Sequence, residues 1–461
     1  MKQGMIEKYE DSQLVVAIPD LAAVRGALKK EFSVDTGDPE TDERLGLALL
    51  DLPGVKAAAK QLRADHSGLV GRVTEAKRPA GIKPSDLDLV ICWLRERFGS
   101  AYSGWVPTIG KNRVIDPVRG LPYVGGGGAG NPHFGGFGDP KTGQKTGQKT
   151  GPKAGSRTKS GANGGPSAAG PHRAAPRPQW PRRPAQPGQG VRVGVLDTQL
   201  YPNEWLAGGY LAAGDDLLPV PAGDSPLPAS AGHATFIAGL ILRQASGAEL
   251  VVRPVLNQKA VGKAWDVAKI MADFVGSGVD ILNLSFGCYT DDGEPPLVLA
   301  RAVSLISAEI LLVAAAGNHG DIDELRKQGD LKNAPWTKGL TPKTPVWPAA
   351  FDEVIAVGAT DGDKPADFSP QTPWVDLTAP GVNVQSTYLK GEVKLGSPDG
   401  PATETFSDGF AYWDGTSFAA ATVSGAVAAR IQPGQRSARQ ALACLREAPA
   451  ADIRPFTKPD R

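Results

Sequence analysis

Val191-Arg192-Val193-Gly194-Val195-Leu196-Asp197-Thr198 is the stretch on which the fold turns. Its aliphatic and β-branched run predicts a short strand buried on both faces, ending in a carboxylate. Comparable runs follow at Leu250–Leu256, Ile281–Ser285, Ile310–Ala316 and Val354–Val357. Between them, His233–Arg243, Trp265–Val275, Leu297–Ala308 and Thr416–Arg430 carry helical patterning. Strands alternating with helices predict an α/β fold: a doubly wound, mostly parallel sheet covered by helices. In such sheets reactive groups collect at the carboxyl ends of strands, where Asp197 stands.

Upstream the composition breaks. From 121 to 190 the chain is dominated by Gly, Pro, Ser, Thr and basic residues, with ten Lys or Arg against one acid, Asp139. That stretch carries about +9 while the whole chain carries +1, so the remainder is acidic. It includes a repeat, Thr-Gly-Gln-Lys, at Thr142–Lys149. So little apolar surface cannot offset the entropy of ordering, which predicts a disordered linker. Before it, residues 1–120 read as a smaller accessory domain, α+β or mostly helical. Leu21, Val24, Leu28 and Phe32 recur at helical spacing, and Ser85 with Asp88 forms a capping box ahead of Leu87, Val90, Leu94 and Phe98. Gln13–Ile18 and Leu45–Leu52 read as strands. The expected organisation is therefore 1–120, linker 121–190, and an α/β domain over 191–461.

The near-neutral balance of 50 basic and 49 acidic residues excludes a uniformly basic nucleic-acid-binding chain. Three scattered cysteines, Cys92, Cys288 and Cys444, exclude a disulfide framework or Cys-rich zinc module. No apolar run reaches the 18 or so residues needed to cross a bilayer, and Met1–Asp20 lacks the apolar stretch of a secretory leader. These observations lead to the expectation of a cytoplasmic protein that contacts no membrane.

Three blocks carry reactive side chains: Asp197 at its strand end, His233 opening a helix in Ala231-Gly-His-Ala-Thr-Phe236, and Ser417 in Asp414-Gly-Thr-Ser-Phe-Ala-Ala420. Asn318 follows the strand Leu312-Val-Ala-Ala-Ala-Gly317. A serine hydroxyl is a poor nucleophile until a neighbouring base takes its proton. A neutral imidazole suits that task near pH 7, and a carboxylate on its other nitrogen fixes the tautomer. The Asn318 amide and the Ser417 backbone N–H are candidate oxyanion donors.

Asp197, His233 and Ser417 in that order, with Asn318 between, resemble the subtilisin-like serine peptidases. Asn283-Leu-Ser-Phe-Gly287, Val346-Trp-Pro348, Val354–Ala359 and Ala379-Pro-Gly381 resemble further blocks of that family in order. The resemblance implies a serine endopeptidase acting on polypeptides through an acyl-enzyme on Ser417, with no cofactor and no catalytic metal. It implies a first specificity pocket walled by Ser285, Phe286, Gly287, Ala315, Ala316 and Gly317, with Val346 at its floor. It also implies an edge strand around Gly262, and a cis Trp347–Pro348 bond. Val346 stands where relatives commonly have Gly, which predicts small or medium apolar residues before the scissile bond. The chain departs from the family at Ala234, Phe236 and Ala421, where Gly, His and Pro are usual. The short Gln244–Glu249 connection predicts that a calcium loop found in many relatives is absent. Residues 319–344 and 388–414 read as surface insertions. His319 reads as a solvated loop residue, and Cys288 as a buried free thiol. The alternative reading of the whole is a catalytically silent scaffold that acts through interaction. Two roles stand for residues 1–120: an inhibitory prosegment, or an adaptor for a protein partner. The basic linker reads as a spacer, with weak polyanion contact as the alternative.

Overall fold

The computed structural model describes residues 8–66, 68, 71, 84–116, 173–174, 187–212, 214–219, 226–328, 339–395, 403–450 and 452–456. Most of the stretch read as a linker lies outside the described residues.

The first part runs β1 (Tyr9–Ala17), α1 (Leu21–Phe32), β2 (Glu40–Asp42), β3 (Leu47–Asp51), α2 (Val55–Asp65), α3 (Asp86–Ala101) and β4 (Ile109–Ile115). It is α+β. The capping box forms as read: Ser85 Oγ accepts from the Asp88 N–H at 3.0 Å, and the Asp88 carboxylate accepts from the Ser85 N–H at 2.8 Å. Period-two alternation gives the sheet two apolar faces. Leu14 and Val16 of β1 pack with Val24, Leu62 and Leu94 of the helices. Val15 and Ala17 face the other way, into a cluster with Trp265, Ala268 and Ala272.

The second part begins β5 (Arg173–Ala174), β6 (Arg192–Asp197), β7 (Tyr210–Leu211), β8 (Leu227–Pro228), α4 (His233–Gln244) and β9 (Glu249–Pro254). It continues β10 (Gly262–Lys263), α5 (Ala264–Ala272), β11 (Ile281–Leu284), α6 (Leu297–Ile306), β12 (Leu311–Ala315) and α7 (Ile322–Gln328). Next come β13 (Val354–Asp361), β14 (Lys364–Pro365), β15 (Leu377–Pro380), β16 (Val384–Thr387), β17 (Gly391–Lys394) and β18 (Thr403–Phe406). It ends with β19 (Phe410–Trp413), α8 (Thr416–Ala428), α9 (Ala438–Glu447) and β20 (Arg454–Pro455).

Its main sheet has the order β20-β15-β13-β12-β11-β6-β9-β7, parallel from β15 to β7, with β20 antiparallel at one edge. The chain moves outward from β6 to β9, then returns to β11 on the opposite side of β6. That reversal opens a crevice at the carboxyl ends of β6 and β11, the position where doubly wound sheets bind ligands. Every residue of α8 is buried, which explains a helix made almost wholly of small and apolar residues. The Trp347–Pro348 bond is cis, as the resemblance implies. The 388–414 insertion contains the antiparallel β17–β18 pair. Within the stretch read as linker, β5 pairs antiparallel with β19, Ala174 opposite Ala411. Among the described residues, no helix is long and apolar enough to cross a membrane.

The first part is seated on the second. β4 pairs with β10, Ile115 opposite Gly262 and Val114 opposite Lys263, so the five-stranded sheet β10-β4-β1-β3-β2 takes one edge from the larger part. One residue on, Asp116 and Gly287 exchange two backbone hydrogen bonds, of 3.1 and 2.8 Å. Asn112, fully buried, accepts at Oδ1 from the Trp265 N–H at 3.0 Å. It thereby satisfies an otherwise unbonded first-turn donor of α5, whose own N-cap residue, Lys263, makes no capping bond.

Candidate active site

The crevice brings the predicted residues to one place. Asp197 ends β6, is fully buried, and accepts from the Thr198 N–H at 2.7 Å. His233 opens α4, with Nδ1 2.9 and 2.8 Å from the two carboxylate oxygens of Asp197. A carboxylate so placed takes the Nδ1–H and leaves Nε2 as a proton acceptor. Around the imidazole lie Trp413, edge-on at 5.5 Å, and Phe418, at 5.7 Å between ring centroids. Phe236, where the family usually has His, packs against both of those rings. Apolar walls on this scale exclude water and strengthen the charge interaction they enclose.

Ser417 stands in the first turn of α8. Its hydroxyl donates to the Ser285 carbonyl at 3.2 Å rather than to His233. The helix is tied down by a chain of buried polar side chains. Ser424 Oγ donates to Asn283 Oδ1 at 3.0 Å, and Asn283 Nδ2 donates to Ser285 Oγ at 2.8 Å. Ser285 Oγ in turn donates to the Ser417 carbonyl at 3.1 Å. Each link contributes about 1 kcal/mol net, and losing a partner in a dry interior costs more. Asn283 and Ser424 were not singled out from the sequence. The signal was an amide inside the otherwise apolar strand Ile281–Leu284, all of it buried.

Asn318 lies just beyond β12. Its Oδ1 accepts from the Thr416 N–H at 2.9 Å and the Thr416 hydroxyl at 3.0 Å. With the carbonyl end held there, Nδ2 lies on the other side, 3.6 Å from where a Cβ on Gly415 would stand. The amide and the N-terminus of α8 are thus adjacent donors at one spot, an arrangement suited to developing negative charge.

The predicted subsite residues divide. Gly262 and Gly287 are engaged with β4 and Asp116. A Cβ on Gly262 would lie 2.2 Å from the Val255 carbonyl, so only glycine permits this close approach. The Phe286 ring is buried in the same apolar cluster as Ile115. Ala315 and Ala316 are fully buried at the end of β12. Gly317 has φ +116°, and Val346 lies against it.

His319 is not a solvated loop residue. It is fully buried, its Nε2 3.0 Å from the Thr344 carbonyl and its Nδ1 3.3 Å from the Tyr289 hydroxyl. Only the Nε2–H tautomer satisfies both partners, with the tyrosine donating to Nδ1. Burial pushes its pKa down to about 4, so the ring is neutral. The sequence showed a histidine beside a candidate amide but not the tyrosine 30 residues away. Cys288 is a buried free thiol, as read.

A family model described as the subtilase family matches residues 188–443, more than half the chain. Subtilisin Savinase of Lederbergia lenta is 32% identical over 212 residues, 44% of this chain and 67% of that protein. An alkaline protease of Alkalihalobacillus alcalophilus is likewise 32% identical over 212 residues, 44% of this chain, and the match spans about half (48%) of that relative's length. A crystal structure of a lanthipeptide protease is similar at 25% identity, covering 56% of this chain and 80% of that one, with a TM-score of 0.42.

Proposed function

The chain belongs to the subtilase family, and from that premise we propose that it is a serine endopeptidase working through Ser417, His233 and Asp197. The buried imidazole–carboxylate pair at the foot of the Ser417 helix carries this reading. As substrate enters, the Ser417 hydroxyl turns from the Ser285 carbonyl to Nε2 of His233. Oγ attacks the peptide carbonyl while its proton passes to the imidazole, and Asp197 stabilises the imidazolium. Negative charge developing on the carbonyl oxygen meets the Asn318 amide and the Ser417 N–H. Collapse of the tetrahedral intermediate breaks the C–N bond, and His233 protonates the leaving amine. Water, deprotonated by His233, then hydrolyses the ester and frees the hydroxyl.

Substrate lies antiparallel along Gly262 and against Gly287, gaining main-chain hydrogen bonds as an added strand. Ser285, Phe286, Gly287, Ala315, Ala316, Gly317 and Val346 surround the side chain preceding the scissile bond. Since β4 and Asp116 pair with these same edges, we take residues 1–120 to be an intramolecular inhibitor rather than an adaptor. Residues 121–190 then serve as a spacer. Three free thiols fit a reducing cytoplasm.

The test is covalent labelling of the full chain by a fluorophosphonate. Label should map to Ser417 and vanish in S417A, with peptide turnover falling by about 10⁶-fold. Label that persists in S417A refutes the assignment, and no label in either the wild type or Ile115→Asp, a substitution that unseats β4 from the cleft edge, supports the silent scaffold.

A further inference from the structure

The pocket assigned to the side chain preceding the scissile bond is closed from two sides. A Cβ built on Gly317 would meet His319 Cε1 and Nδ1 at 2.8 Å each and Val346 Cγ2 at 2.9 Å. The imidazole and the valine therefore converge beside the Cα of one wall residue. His319 continues the wall formed by Ala315–Gly317, and Tyr289 continues the opposite wall formed by Ser285–Gly287. Their side chains meet at 3.3 Å, with rings edge-on and centroids 5.2 Å apart. This contact joins one wall to the other. Val346 is held beneath by its neighbour Trp347, whose backbone exchanges two hydrogen bonds with Cys288, at 2.9 and 3.0 Å.

None of the three groups is placed to swing away. His319 and Val346 are buried. The imidazole is anchored at its far nitrogen by the Thr344 carbonyl, at 3.0 Å. Displacing the ring would strand the Thr344 carbonyl and the tyrosine hydroxyl without partners in a dry interior, so closure is a fixed property of the resting protein.

From this geometry we infer that Tyr289 and His319 form a polar crossbar which, with Val346, restricts the enzyme to Gly, Ala or Ser before the cleaved bond. The inference rests on the serine endopeptidase reading above and names its substrate class. Val346 alone removes the volume of a small branched side chain. The crossbar adds a second barrier that the sequence did not disclose, and together they leave no depth for an aromatic or long aliphatic group. A single methylene too many in an apolar pocket changes kcat/KM by about 10–200-fold, so a whole ring is rejected by at least that much.

The experiment uses the full chain with tetrapeptide fluorogenic substrates differing only in the residue before the cleaved bond: Gly, Ala, Ser, Leu or Phe. The ratio of kcat/KM values cancels the fraction of molecules whose cleft is covered. Ala should exceed Phe by about a hundredfold. Val346→Gly combined with His319→Ala should raise Phe turnover at least tenfold relative to Ala, while His319→Gln, able to donate to Thr344 and accept from Tyr289, should retain the wild-type ratio. A wild-type preference for Phe or Leu overturns the inference, as does an unchanged ratio in the folded double variant. Should that variant not fold, the wild-type profile and V346A decide the matter. Absence of turnover and of fluorophosphonate labelling even in Ile115→Asp, which unseats β4 from the cleft edge, would instead overturn the endopeptidase reading beneath it.

Discussion

The two sheets of this molecule are built on opposite terms. The large sheet is mostly parallel and packed on both faces, and β11 at its centre exposes nothing. The five-stranded sheet is antiparallel and completes its edge with β10, which belongs to the other part of the chain. One face of that smaller sheet is its own core, and the other is a seam shared with α5 and α6. Charge also crosses the seam: Arg44 bridges Asp42 and Asp273, Lys269 pairs with Glu40, and Lys263 lies 3.8 Å from Glu10. Asp42 is buried, and the other side chains are partly exposed. A sheet whose strands are all its own dissolves only when its domain unfolds. One that borrows an edge can let go while the lender stays folded.

Leu282→Ala empties a fully buried position in β11 and should cost about 2–5 kcal/mol, read by chemical denaturation as a lower unfolding midpoint of the catalytic part. A loss below 1 kcal/mol would mean that the central strand is not what holds this part together. Ile115→Asp attacks the borrowed edge by placing a carboxylate among Trp265, Phe286 and Leu256. It should free the cleft and raise peptide turnover at least about tenfold, leaving the catalytic part's unfolding midpoint unmoved. Unchanged turnover would dissociate β4 from inhibition.

The smallest effect belongs to the seam charges. Each exposed pair contributes about 0–1 kcal/mol, so Lys269→Glu alone should raise turnover only severalfold, and added salt should reduce even that difference. Acid should act in the same direction as the mutation. The hydrogen bond that Lys269 donates across the seam holds the Glu40 pKa below its usual value. A carboxylate with a depressed folded pKa contributes its stability above the unfolded value, near 4, and loses it as pH falls through the folded one. Docking should therefore weaken only below about pH 4, and fluorescence of the seam residue Trp265 at stepped pH would register it. Release beginning near pH 6 would point to another group.

Much of the architecture was readable without coordinates. Strands buried on both faces write themselves as continuous apolar runs, so β6, β9, β11, β12 and β13 were visible within a few residues of their ends. The Ser85–Asp88 capping box is a local device and formed as read. Asp197, His233, Asn318 and Ser417 stood in recognisable blocks, each at a strand end or helix start. What escaped were long-range partners. Nothing in Ile109–Ile115 announces that its neighbour is Gly262, or that Asn112 caps a helix 153 residues away. His319 looked solvated because a lone polar residue in a loop carries no mark of burial. Its partners, Tyr289 and Thr344, are 30 and 25 residues distant.

Order along the chain was enough to determine the class of fold, the break in composition between 120 and 190, and the identities of the candidate catalytic side chains. All of these follow from local patterning, since periodicity, capping and strand ends are settled within a few residues. Tertiary structure alone decided which edge β4 occupies, which carbonyl holds the Ser417 hydroxyl at rest, and which side chains crowd Gly317. Those are properties of contacts between segments far apart in sequence, and a hydrogen bond or an excluded volume exists only once the chain has brought both sides together.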